Sequence, residues 1–468
     1  MKRDLQVRSV AEAYLEQLAA RGVDVLFGNA GTDFPPLIEA YARARRSGAR
    51  VPRPLLVPHE NVAVGMAYGY RLLTGRAQAV MVHVGLGTAN AVCGLFNAYR
   101  QNVPMLFTAG RTPWTESRVP GARNNYINWA QEQFDQAGMV REFMKWDYEL
   151  RHPEQLESVV DRALALAQST PKGPVYLVLP REVLAMDCAA GTNATQTTLA
   201  AASEPHPDPQ ALARAAAILA AARRPLLITA DAGRSAAAWD ALARFAERHA
   251  VPVVQYRPRF ASLPTDHPMH CGYDPAALLK DADAVFVLDC DVPWIPEHAA
   301  PRPEAKIVHL GADPLYARYP MRGFRADLAV TGDAAAILSG LLPAAVAPGA
   351  EERRARAAAL RAQSARMADT PPASMSNRWV THCIDRVRDQ DTLVFNEYSL
   401  VLEELTVTRH NTYFAQPGRR AGLGDGRGPG RQAGASSPPA SPPWATAPTC
   451  SAIPRPSISF RARRTCRC

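Results

Sequence analysis

The chain has 468 residues, 47% of them apolar and 21% charged, the mix of a soluble globular protein with room for two or three separately cored domains. No apolar run reaches the eighteen or more residues that a membrane helix needs, so no membrane partner is expected. The net charge of +9 sits almost entirely in Pro417–Cys468, which has nine arginines, no lysine and one acid, Asp425; residues 1–416 carry only +1, and no nucleic-acid partner is expected.

Met1-Lys2-Arg3-Asp4-Leu5 leads straight into an amphipathic helix over Val10–Ala20 without the apolar core of a signal peptide, which makes the cytoplasm the default location. Strand-like and helix-like runs then alternate. Val23–Gly28 is predicted as a short buried strand and Leu55–Val57 as a second, followed by a helix over Glu60–Leu73. Ala79–Val84 is a third strand, followed by a Gly-rich turn and a helix through Tyr99. Met105–Ala109 and Val175–Pro180 are further buried strands, the last closing a domain over residues 1–186. Residues 187–209 are small and polar and end in Pro205, Pro207 and Pro209, as a linker does. A second α/β unit over 205–343 carries strands at 225–229, 251–254, 284–288 and 306–310. An Arg/Ala-rich connector with helical pattern spans 344–377, and a third unit over 375–416 opens with a strand at 392–395. The fold class is α/β, a succession of doubly wound parallel-sheet domains. Five cysteines, Cys93, Cys188, Cys271, Cys290 and Cys383, are scattered without metal-ligand spacing, and the other three lie beyond residue 449.

Three loops follow strands of the first domain. Phe27-Gly28-Asn29-Ala30-Gly31-Thr32 comes first, then Pro58-His59-Glu60-Asn61, then His83-Val84-Gly85-Leu86-Gly87-Thr88-Ala89-Asn90. Taken singly, each has an ordinary explanation. A glutamate opening a helix is favoured by the macrodipole, a histidine after a strand is most often a satisfied core residue, and a threonine beside a glycine is a turn residue. The glycine run is a poor GxGxxG because Asn90 stands where the third glycine belongs. Together, three loops at the carboxyl ends of parallel strands make a ligand crevice. A nicotinamide-dependent dehydrogenase does not fit, since the first strand lacks GxGxxG and the next strand end lacks its acid.

In order and spacing, FGNAGT, HENVAVGMAYGYRLLTG and HVGLGTANAVCGLFNAYRQNVPMLFTAG resemble the pyrimidine-binding domain of thiamine-diphosphate enzymes of the acetolactate synthase and benzoylformate decarboxylase type. The histidine ahead of the glycines is nearer the decarboxylase branch. The resemblance runs on through GPVYLVLPREV, DCDVPWIP, HLGADP and DTLVFNEYS and so covers nearly all of residues 5–416. It implies thiamine diphosphate and Mg²⁺ as cofactors, and nonoxidative decarboxylation or carboligation of a 2-oxo acid as the reaction. It also implies a homodimer or homotetramer with the cofactor between subunits. Residues 1–186 would be the pyrimidine-binding domain, 205–343 the central domain and 375–416 the start of the diphosphate-binding domain. Glu60 matches the glutamate that hydrogen-bonds the aminopyrimidine ring and favours the tautomer that takes the thiazolium proton. His83 matches a histidine that handles protons on the substrate-derived intermediate, and Thr32 matches a substrate-contacting serine position. Gly31, Gly87 and Asn90 shape the pyrimidine pocket. His298 falls near a second active-site histidine of the decarboxylases in a stretch that matches poorly, while Arg100 and Trp294 read as structural. Neither the identity of the 2-oxo acid nor nucleotide binding by the central domain is legible.

The family holds its Mg²⁺ with a GDG motif of the third domain. Gly424-Asp425-Gly426 lies in a Gly/Arg/Pro segment with no apolar strand ahead of it, so no metal ligand is assigned. Disorder is expected over residues 417–468. If each codon of Ala421–Gly434 is read from its second base, the genetic code permits LGWGMGAALGAKLA, and reading from the third base from Pro443 onward permits VGDGSYMFGNP. Both strings resemble the family's third domain, in the right order, and two shifts of frame are the simplest account. The chain as written is then expected to bind thiamine diphosphate weakly or not at all, and a noncatalytic pseudoenzyme or pseudogene product is the alternative to an enzyme.

Overall fold

The computed structural model describes residues 8–111, 113–188, 199–364, 366–397 and 400–415. The segment 417–468, for which disorder and a shifted frame are expected, lies outside the described residues.

The first unit begins with β1 (Arg8–Ser9) and α1 (Val10–Ala20). Ser9 and Glu12 close a reciprocal capping box, with the Ser9 N–H donating to Glu12 Oε2 at 2.8 Å and the Glu12 N–H to Ser9 Oγ at 3.3 Å. There follow β2 (Val25–Gly28), α2 (Pro35–Ser47), β3 (Arg53–Leu56), α3 (Glu60–Thr74), β4 (Ala79–Val82), α4 (Val84–Arg100) and β5 (Met105–Arg111). The short α5 (Tyr126–Ala130), β6 (Asp147–Glu149), α6 (Leu156–Gln168), β7 (Pro174–Pro180), α7 (Arg181–Ala185) and β8 (Asp187–Cys188) complete it. Six strands form one parallel sheet in the order β3-β2-β4-β5-β7-β6, with β1 and β8 paired apart from it. The inner strands β2, β4 and β7 are buried at every position, as strands covered by helices on both faces must be. The order of connection reverses between β2 and β4, and the crevice beyond their carboxyl ends is the expected ligand position.

The Gly-rich turn predicted after β4 is not a turn. Helix α4 starts at Val84, directly after His83, so that Gly85 and Gly87 lie in its first turn. Glycine costs a helix about 1 kcal/mol relative to alanine, but here space decides. A Cβ on Gly87 would stand 2.9 Å from the Cβ of Val82, and one on Gly85 would overlap the amide of Gln133. The turn is held from below, where the Thr88 hydroxyl donates to the Val84 carbonyl at 2.9 Å and lies 2.7 Å from the Tyr176 hydroxyl. Burial pushes that tyrosine up to about 12, so it remains a neutral hydrogen-bonding group.

The central unit runs α8 (Pro209–Ala221), β9 (Pro225–Thr229), α9 (Ala236–His249), β10 (Val253–Gln255), α10 (Ala276–Leu279), β11 (Ala284–Leu288), β12 (Lys306–Gly311), β13 (Leu328–Thr331) and α11 (Ala334–Leu341). Its parallel sheet has the order β10-β9-β11-β12-β13, a doubly wound arrangement with its own reversal between β9 and β11. Helix α12 (Ala350–Gln363) occupies the connector, and α13 (Asn377–Val387) leads to the parallel pair β14 (Val394–Asn396) and β15 (Tyr413–Ala415). Among the described residues no helix is long and apolar enough to cross a membrane.

Candidate active site

Of the six candidate residues, Gly31 and Thr32 follow β2, Glu60 follows β3, His83 follows β4, and Gly87 and Asn90 come from the first two turns of α4. Glu60 is the first residue of α3, where free backbone N–H groups and the macrodipole favour an acid. Its side chain is nonetheless buried, at 7% exposure for the residue. One oxygen, Oε2, accepts from Asn90 Nδ2 at 3.2 Å, and His59 Nδ1 lies 3.9 Å from it. The carboxylate thus keeps acceptor capacity that the described residues leave largely unused. Asn90, on the second turn of α4, is what brings the third loop to the second.

His83 precedes α4 and is half-buried. Its Nδ1 lies 2.7 Å from Oδ1 of Asp33, a residue with no exposed surface. The other oxygen of Asp33 accepts the Val84 N–H at 3.2 Å, supplying the helix start that the His83 side chain does not cap. Val84 has φ of +38°, a conformation rare for a β-branched residue. Two glycines make the arrangement possible. A Cβ on Gly31 would stand 2.8 Å from the Cβ of His83 and 2.2 Å from its Nδ1, and one on Gly110 would overlap the Asp33 carboxylate.

Thr32 is exposed on the rim. Its hydroxyl accepts from Arg123 Nη1 at 2.7 Å and its carbonyl from Arg181 Nη1 at 3.0 Å. Arg123 also donates to the Arg111 carbonyl at 2.7 Å, and burial lowers its pKa while leaving the guanidinium charged. Asp33 and Arg123 escape a sequence reading centred on the glycines. Asp33 stands next to Thr32, and an acid at that strand end is the one signal that could have found it. Arg123 is 91 residues from its partner and has no local signal. His298 is exposed in the loop beyond β11, and Trp294 is buried against Phe324.

The central unit's crevice is filled by the chain itself. Arg259 Nε donates to Asp231 Oδ1 at 2.7 Å and its Nη1 to Asp291 Oδ2 at 2.6 Å, and the Tyr319 hydroxyl donates to the same Asp291 oxygen at 2.6 Å. Among the described residues no group of three or more His, Cys, Asp or Glu is placed to hold a metal ion.

A doubly wound sheet with a carboxylate and an imidazole at its switch point defines an α/β protein with a ligand crevice in its first unit. Residues 8–139 match the description thiamine pyrophosphate enzyme, N-terminal TPP binding domain, and residues 212–341 match thiamine pyrophosphate enzyme, central domain. The chain belongs to the thiamine pyrophosphate-dependent enzyme family. It is 28% identical over 351 residues to benzoylformate decarboxylase of Pseudomonas aeruginosa, which covers 72% of this chain and 62% of that protein. It is 26% identical over 349 residues to acetolactate synthase of Mycobacterium bovis, covering 72% of this chain and 53% of that one. The solved structure of benzoylformate decarboxylase from Polynucleobacter necessarius is similar in fold, with a TM-score of 0.71 at 19% identity over 87% of this chain and 74% of that chain. The chain spans little more than half the length of the curated relatives it matches.

Proposed function

We propose that the protein acts in thiamine-diphosphate-dependent nonoxidative decarboxylation or carboligation of a 2-oxo acid, and that the described residues form the pyrimidine side of the site. The observation that carries this reading is the buried Glu60 carboxylate, bonded to Asn90 and otherwise free to accept, at the start of α3. That donor set fits an aminopyrimidine. When bound, thiamine diphosphate supplies a carbon nucleophile for the 2-oxo carbonyl and a ring that takes up the electron pair released with CO₂. Glu60 holds the proton shared with the pyrimidine ring nitrogen, and Asn90 keeps its carboxylate in place. His83 offers Nε2 for proton transfer at the substrate-derived carbon or oxygen. Thr32, fixed by Arg123 and Arg181, orients the substrate. Mg²⁺ is the family's partner for the diphosphate; among the described residues no group of three or more His, Cys, Asp or Glu is placed to hold it, and no step is assigned to it.

A homodimer or homotetramer accords with the exposed apolar side chains of the first unit: Leu56 is 76% exposed, Leu86 57%, Tyr126 86%, Trp129 55% and Phe134 fully so. Sedimentation velocity on the purified chain tests this, with a monomer at micromolar concentration as the contrary result.

The absence of an apolar strand ahead of Asp425 favours a second reading, a noncatalytic chain with a pyrimidine-side pocket and no diphosphate anchor. Calorimetric titration with thiamine diphosphate and Mg²⁺, paired with CO₂ release from a panel of 2-oxo acids, separates the two. Micromolar, Mg²⁺-dependent binding with turnover supports the enzyme. Weak binding insensitive to Mg²⁺, without turnover, supports the second reading. No binding even at millimolar cofactor, likewise without turnover, counts against the enzyme and supports the second reading.

A further inference from the structure

We propose that Asp33 is a positioning residue for His83, fixing the imidazole as its Nδ1–H tautomer so that Nε2 faces the crevice as a bare acceptor. The proposal rests on the reading of His83 as the proton-handling group, although the tautomer itself can be observed whether or not that reading holds.

Topology and space support it together. Asp33 comes from the loop after β2 and His83 from the end of β4, the two neighbouring strands between which the connection order reverses. The pair therefore bridges the floor of the crevice. Asp33 is completely buried, yet the described residues give it no arginine or lysine ion pair within 4 Å; its close partner is the imidazole, 2.7 Å away. An acid at a helix start ordinarily serves the macrodipole. Here one oxygen meets that need by accepting from Val84, and the other is left for the ring. A carboxylate can only accept, so the nitrogen facing it carries the proton, and in the neutral ring the second nitrogen is then unprotonated. The surroundings are shaped to keep this contact. Gly31 leaves room for the ring, Gly110 leaves room for the carboxylate, and Val84 holds a left-handed φ that directs its N–H to Asp33. A capping role alone does not account for two glycines shaped around the Asp33–His83 contact.

The test is a long-range ¹H–¹⁵N correlation spectrum of the intact chain with ¹⁵N-labelled histidine at pH 8, with His83 assigned by its loss in His83→Gln. A protonated Nδ1 and bare Nε2 in the wild type, reversed in Asp33→Asn, is the expected result. A wild-type His83 protonated on Nε2 overturns the proposal, as does an Asp33→Asn spectrum with the tautomer unchanged. Should Asp33→Asn fail to fold, the wild-type spectrum decides alone. None of these outcomes depends on cofactor binding or turnover, so failure of the functional reading and failure of this proposal are separately visible.

Discussion

Gly31 and His83 are in such close register that a single methyl group on the glycine would stand 2.8 Å from the histidine Cβ and 2.2 Å from its Nδ1. The backbone of Gly31 does not have positive φ, so its requirement is for space rather than for conformation.

Gly31→Ala should therefore push the ring away from Asp33 and cost about 1–3 kcal/mol, the usual range for overpacking a close-packed site. Urea denaturation measures the cost, and the His83 ¹⁵N signals report the displacement. An unchanged midpoint and spectrum would show that the loop yields freely.

Glu60→Gln removes the proton-sharing carboxylate and keeps its shape. With cofactor bound, exchange of the thiazolium C2 proton into deuterated water should slow by about 10²–10⁴-fold, the range ascribed to a positioned acid or base. Proton NMR of quenched samples gives the rate. Equal rates in the two proteins would remove Glu60 from the proposed role.

Asp289, at the end of β11, sits with φ of +43° in the central crevice, where burial pushes its carboxyl up to about 7 and Asp231 and Asp333 add to the effect against Arg234. The folded state then holds the proton more tightly than the unfolded chain does. This group's stabilisation is complete below about pH 4 and is lost as pH rises through about 7. Asp289→Asn should remove that slope, gaining about 2 kcal/mol over the wild type at pH 8 beyond any difference seen at pH 4. Asparagine also tolerates positive φ, so any conformational gain is common to both pH values. Denaturation midpoints at the two pH values check it, and a difference of equal size at both would refute the assignment.

Arg353, on α12, is buried and donates to five backbone carbonyls, those of Arg223, His249, Ala250, Ala347 and Pro348, at 2.6–3.2 Å. It ties the connector to the ends of α8 and α9 in the central unit. Arg353→Met fills the space but leaves buried acceptors without donors, and should cost about 2–4 kcal/mol. Limited proteolysis should then cut within residues 344–363, and resistance equal to the wild type would show that the helix docks by apolar contact alone.

How much could be read beforehand follows from burial. Strands β2, β9 and β11 are continuous apolar runs because helices cover both faces, and they stand out from the sequence. Strands β6 and β13 escaped notice because they are sheet edges, short and half wet, with Leu328-Ala329-Val330-Thr331 alternating buried and exposed. In the site, Glu60 and His83 each follow a legible strand, but position alone reads them as a helix-start acid and a core histidine, and only the family resemblance singles them out. The start of α4 was misread because glycines usually mark a turn, whereas these two are small to fit Val82 and Gln133. Contacts such as Asp33–His83 and Thr32–Arg123 join residues 50 and 91 positions apart and leave no local trace.

Helix α4 has 17 residues and is about 26 Å long. At its far end Arg100 donates to the Arg318 carbonyl at 2.7 Å and lies over the Tyr319 ring at 4.6 Å, while Gln101 accepts from Arg234 at 2.6 Å and donates to the Ala415 carbonyl at 2.7 Å. For anyone shuffling segments between relatives, the linker around residues 199–208 is therefore a deceptive crossover point. A chimera joined there inherits Arg100 and Gln101 from one parent and residues 234, 318 and 415 from the other, and the mismatch falls at one end of the helix whose other end begins beside His83.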